Sequence, residues 1–226
     1  MKKIFKNKFV LVILCLSLLT TLLMVINMVN VSSNNQDSDL QSGDTTGGLT
    51  TNGIYAFPTN PTDYQKDLYI ELSDYLETYE FDQSDVYGED SLKIAELIVK
   101  NFVADFFTWT NKSSTYDVGG VTYFDPLNYI TAENHARNTF YKDLDGYIEQ
   151  YGRENLIEVN DITIPAIIES GSFHYNGEDY NSIYVMANWT YNDSSKIDVQ
   201  EFQRGAEFSV VNYEGIWYIG QLWGIE

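Results

Sequence analysis

The sequence predicts an α+β domain set behind an apolar N-terminal segment. Three observations carry this. Apolar residues recur at spacings of three and four between Tyr64 and Ile148, they alternate every second position after Leu156, and an Asn176-Gly177 pair separates two alternating runs. Helices first and antiparallel strands last is the pattern of helices packed on one side of a curved sheet.

The chain opens Met-Lys-Lys-Ile-Phe-Lys-Asn-Lys, with four lysines and no acid, and residues 1–8 read as a basic cytoplasmic tail. Phe9 to Val29 is uncharged, and as a helix it reaches roughly 30 Å, the thickness of a bilayer's hydrocarbon core. Residues 9–29 are therefore expected to be a transmembrane signal anchor, with the lipid bilayer as one partner and everything beyond outside the cell membrane. A cleaved signal peptide is the rival reading. The exit Val29-Asn30-Val31-Ser32-Ser33 offers no small-x-small site ending in Ala. Cys15 follows the bulky Leu14, which argues against lipidation and leaves it a small apolar residue. Residues 30–60 are dominated by Ser, Asn, Asp, Gly and Thr and read as a disordered linker. Residues 61–226 are then the extracytoplasmic domain.

Composition narrows what that domain does. With the four N-terminal lysines set aside, all 33 acids face nine basic residues, a formal charge of about −24. A domain so acidic repels phosphate, which excludes nucleic acid as a partner. Cys15 is the single cysteine, so the domain has no disulfide framework, cysteine nucleophile or thiolate metal site. Lysine at the start, Asn, Ile and Tyr richness and no disulfides fit a bacterial envelope protein.

Each element has its own signal. Pro61-Thr62-Asp63 starts a helix whose stripe is Tyr64, Leu68, Leu72, Tyr75, Leu76 and Tyr79, ending before Phe81. A second helix is predicted from Asp90 to Trp109, apolar around so much of its girth that it belongs at the centre. Gly119-Gly120 lies in a loop leading to a short edge strand at Val121–Phe124. Asp125-Pro126 starts a third helix or helix pair, which Gly152 stops. The period then becomes two. Ile162, Ile164, Ala166 and Ile168 form one face of a strand, the Asn-Gly pair a tight hairpin, and Ile183, Val185, Ala187, Trp189 and Tyr191 the face of the next strand. Ala206–Tyr213 and Ile216–Trp223 pair across Glu214-Gly215.

This order, three helices followed by a meander closing on Gly-Ile-Trp-Tyr-Ile-Gly-Gln-Leu-Trp (Gly215 to Trp223), resembles the nuclear-transport-factor-2-like, or cystatin-like, roll over residues 62–226. With a spanning helix and stalk in front, the layout is similar to the bitopic assembly factors of type IV secretion and conjugative transfer. The resemblance implies a non-enzymatic scaffold without cofactors that self-associates or docks a protein partner. Enzymatic members of such rolls do proton transfer in a cone between helices and sheet, where His135, Asp143, Asp145, His174 and Tyr184 would be the candidates.

The residues themselves favour association over catalysis. Two histidines on different elements make a poor metal pair, and the acidic runs Asp82–Asp90 and Asn192–Asp198 lack the ligand spacing of a calcium loop. Tyr184, Tyr213 and Tyr218 alternate onto the sheet face opposite the core and are the expected docking residues. The alternatives are a small-ligand-binding or isomerase-like pocket protein of the same fold, and a secreted domain released by cleavage.

Overall fold

Thr62 starts the first helix. In the computed structural model, which describes residues 54–224, the Thr62 hydroxyl accepts from the Gln65 N–H at 3.2 Å and the Gln65 side chain accepts from the Thr62 N–H at 2.9 Å. This reciprocal capping box satisfies two donors that a helix start leaves open. From it α1 runs Asp63–Thr78, burying Leu68, Tyr69 and Leu72 while Asp67, Glu71 and Asp74 face solvent. Glu89–Phe106 forms α2, with twelve of its 18 residues buried. It touches α1 and all four strands, which is where a helix apolar around most of its girth must lie. Side-chain amides fasten the pair of helices. Asn101 Nδ2 donates to the Leu68 and Leu97 carbonyls at 3.0 and 2.9 Å, and Gln65 Nε2 donates to the Ala104 carbonyl at 2.8 Å.

Two shorter helices follow, α3 at Tyr129–Asn138 and α4 at Leu144–Tyr151, the latter stopped by Gly152 at φ 76°. The expected edge strand at Val121–Phe124 is instead a single 3₁₀ turn, Val121–Tyr123, after which Phe124 makes a lone parallel bridge to Ile219. Gly119 and Gly120 explain the tight turn. A Cβ on Gly119 would stand 2.3 Å from the Asp105 carbonyl oxygen, and Gly120 has φ 71° against the Phe102 ring.

The sheet is antiparallel in the order β1-β2-β3-β4, with β1 Val159–Tyr175, β2 Glu178–Tyr191, β3 Gly205–Tyr213 and β4 Ile216–Gly224. Asn176 and Gly177, at φ 51° and 85°, make the hairpin turn that the Asn-Gly signal demands. Ile183, Val185 and Ala187 of β2 and Ala206, Phe208 and Val210 of β3 are fully buried beneath α2. Burying one such aliphatic or aromatic side chain contributes about 1.5–3 kcal/mol. The other face of the sheet carries no helix among the described residues.

Register shifts in β1 between Thr163 and Ala166, and between Glu169 and Gly171, break the simple alternation. Ile162 pairs with Trp189 on the inner face, but past Pro165 it is Ile167 that pairs with buried Val185, and Ala166 and Ile168 turn outward. An extra residue on one strand flips every side chain beyond it, so the expected face of Ile162, Ile164, Ala166 and Ile168 is corrected to two half-faces.

The predicted overall layout also needs correcting. No helix among the described residues is long and apolar enough to cross a membrane, and the longest, α2, carries Glu89, Asp90, Lys93, Glu96, Lys100 and Asp105. The basic tail, the expected anchor at 9–29 and most of the linker lie outside the described residues. What stands among the described residues is an α+β unit of four α-helices and four strands. The membrane and signal-anchor assignments are unsupported, and the expected third helix or helix pair is a pair, α3 and α4, parted at Thr139–Asp143.

Candidate functional site

The loop after α2 is tied down by a buried charge pair. Lys112 Nζ lies 2.5 Å from Asp105 Oδ1, with both side chains nearly solvent-free, and Asp105 Oδ2 accepts the Gly120 N–H at 2.7 Å. Next to it the Tyr141 hydroxyl donates to the Phe106 carbonyl and accepts from the Gly119 N–H. Burial, then the Asp105 charge, pushes the Tyr141 phenol well above its ordinary range. Every polar atom of the charge pair has a partner inside the fold. The pair is structural, and it fixes one wall of the cleft between α2 and α3.

That cleft is mostly filled with rings. Phe102 and Phe106 stack, Phe107 meets Phe102, Phe106 and Phe140 edge to face, and Trp109 tilts against Phe140, with centroids 4.9 to 6.4 Å apart, and Trp189 lies 4.3 Å from Phe107. A cavity of about 280 Å³ is left at the mouth, walled by Phe106, Phe107, Phe124, Phe140 and Leu222 and roofed by Ala132 and Ala136 of α3. His135 and Thr139 of α3 and Gln203 before β3 form its rim. A smaller space, about 170 Å³, lies between Tyr79, Phe81, Ile94 and Trp217.

The candidate proton-transfer residues do not converge. His135 is exposed on α3, and His174 sits near the hairpin turn, its Nδ1 2.9 Å from the exposed Asp179. Asp143 and Asp145 lie on the surface at the start of α4, where Asp145 accepts the Thr115 N–H. Tyr184 is on the far side of the sheet. Among the described residues no group of three His, Cys, Asp or Glu side chains could hold a metal ion. The acidic runs serve their own backbones. Asp82 accepts both the N–H and the hydroxyl of Ser84, which lowers its pKa, and Asp198 accepts the Gln200 N–H to start a 3₁₀ turn.

The tyrosines expected to dock a partner separate into two environments on the outer face. Tyr218 pairs with Val211 and is buried, meeting the Tyr55 ring edge-on. Tyr213 is half-buried with its ring 5.9 Å from Tyr180. Here β1 and β2 curl back over the sheet. A Cβ on Gly220 would meet Val211 at 2.9 Å and the Phe173 ring at 3.3 Å, and the Tyr175 hydroxyl donates to Asn128 Oδ1 at 2.5 Å. Tyr184 belongs to the other half, which none of the described residues covers. The ladder rows Ile168–Tyr184–Ser209–Gln221 and Ala166–Met186–Glu207–Trp223 run side by side across the strands. Ile168 is 56% and Trp223 42% exposed, with Tyr184 and Met186 half-buried between them. Partial burial, then the neighbouring Glu207 carboxylate that accepts its hydroxyl, raises the Tyr184 pKa.

Sequence alternation located Tyr184 and missed Ile168 and Trp223, because Ile168 reaches this face only through the bulge at Pro165. The signal that existed was Pro165 itself, which a regular strand interior does not hold. Comparison with known proteins adds no identity: no protein-family model, no curated protein and no solved structure matches this chain.

Proposed function

We propose that the domain works by protein association, docking another folded chain, in the simplest case a second copy, on the open half of its outer sheet face. The observation that carries this is the pair of adjacent ladder rows in which Ile168 and Trp223 stay exposed around Tyr184 and Met186. An aromatic and aliphatic patch with Glu207 and Gln221 among it has the make-up of an interface centre with hydrogen-bonding groups inside. The dispersed candidate acids and bases support the same reading, since proton transfer needs them in one desolvated place. The succession of helices and then an antiparallel meander supports a nuclear-transport-factor-2-like roll as its architecture, a reading that rests on element order alone.

Sedimentation of the full chain across a wide concentration range tests it. Concentration-dependent mass is expected for the wild type and is lost in the Ile168→Ser, Trp223→Ser double variant, whose unfolding midpoint stays unchanged. A strict monomer at every concentration in both proteins overturns the proposal.

A further inference from the structure

The cavity at the mouth of the cleft has a different chemistry from the outer face. Its walls are four phenylalanine rings and Leu222, and its roof is α3, whose Ala132 and Ala136 stand one turn apart and present only methyl groups to it. Of the ten residues of α3, Ala136 alone is buried. The roof is thus a helix held by little packing, over a space that bulkier residues at those two positions would fill.

Two groups at the rim are unspent among the described residues. Gln203 donates its Nε2 to the Gly205 carbonyl at 2.9 Å, which leaves Oε1 to accept. The His135 imidazole has no hydrogen bond, since the neighbouring Thr139 hydroxyl goes to the His135 backbone carbonyl at 2.7 Å. An apolar body and one polar end are therefore what the site complements. The formal charge of −20 disfavours an anionic ligand.

The geometry points to a binding site for a small, flat, uncharged aromatic molecule carrying one N–H or O–H donor. The ring slides between Phe106, Phe107, Phe124 and Phe140 in edge and offset contacts, and the donor reaches Gln203 Oε1. Binding is independent of the outer face, which lies across the sheet.

Isothermal titration of the full chain with indole tests the site. Saturable one-to-one binding with a Kd of roughly 0.1 mM is expected for a ligand of this size. Ala132→Leu fills the roof at a half-buried position and weakens binding at least tenfold with no loss of thermal stability. Gln203→Met weakens indole about tenfold and leaves 1-methylindole unaffected, because the methylated nitrogen has no proton to give. Indole-3-acetate binds more weakly than indole. Absence of saturable binding, an Ala132→Leu variant that binds like wild type, or tighter binding of the carboxylate each overturns the assignment.

Discussion

The outer face of the sheet has two halves made by the same strands, and they differ sharply. In one, Ser182, Val211 and Tyr218 are buried and Phe173 lies against Gly220. In the other, Ile168 and Trp223 stand in solvent. The difference is conformational more than compositional. The register shift at Glu169–Gly171, with Gly171 at φ 85°, bends the β1–β2 hairpin back so that its own rings cover one half. A strand face needs a second layer, and the described residues supply that layer for only half of it.

The largest expected effect calibrates the outer face against the inner side. Lys112→Met leaves Asp105 buried without its partner and is expected to cost about 3–5 kcal/mol, read from denaturant midpoints. On the closed half, Gly220→Val forces a Cβ into Val211 and the Phe173 ring and is expected to cost about 2 kcal/mol. An unchanged midpoint would mean that the hairpin does not lie down on the sheet in solution. Gly171→Ala has no steric conflict, so its cost of about 1–2 kcal/mol comes from the left-handed backbone alone. Trp223→Ser on the open half should stay within about 0.5 kcal/mol while it reduces association, and a large loss of stability there would show that the open half is core.

Alkaline titration sharpens the contrast between buried and exposed phenols. Burial raises Tyr55, Tyr123 and Tyr141 well above their ordinary value, and burial with Asp90 nearby takes Tyr75 to about 12. The unfolded chain releases these protons near pH 10, the folded one at higher pH. Their contribution is therefore complete below pH 10 and is lost as the pH climbs from 10 toward 12. Urea midpoints should be flat between pH 8 and 9.5 and fall steadily above pH 10. A flat profile to pH 12 would show that these phenols are not desolvated.

Local signals in the sequence were enough for local structure. The Thr62 cap, the α2 stripe and the Asn176-Gly177 turn depend on neighbours along the chain, and each can be read from a few residues. The features that shape the candidate sites depend on distant partners. Nothing in Thr-Asn-Lys-Ser-Ser announces that Lys112 is buried against Asp105, because that polar stretch has the composition of a surface loop. The bulge near Pro165 decides which face Ile168 joins, and the cavity arises from what Ala132 and Ala136 lack. Missing bulk leaves no periodic mark.

Tyr55 joins the two ends of the described chain. Its hydroxyl donates to the Trp217 carbonyl at 2.5 Å, and its ring stacks on Tyr123 at 5.0 Å. The point where the chain enters the domain is thereby bolted to the last strand, 162 residues later. The Tyr55 carbonyl in turn accepts from the Tyr69 hydroxyl of α1 at 3.0 Å, so a pull on the entering chain would be shared between the β4 edge and the first helix. Tyr55 is the pin that couples the domain's entrance to both of its layers, helices and sheet.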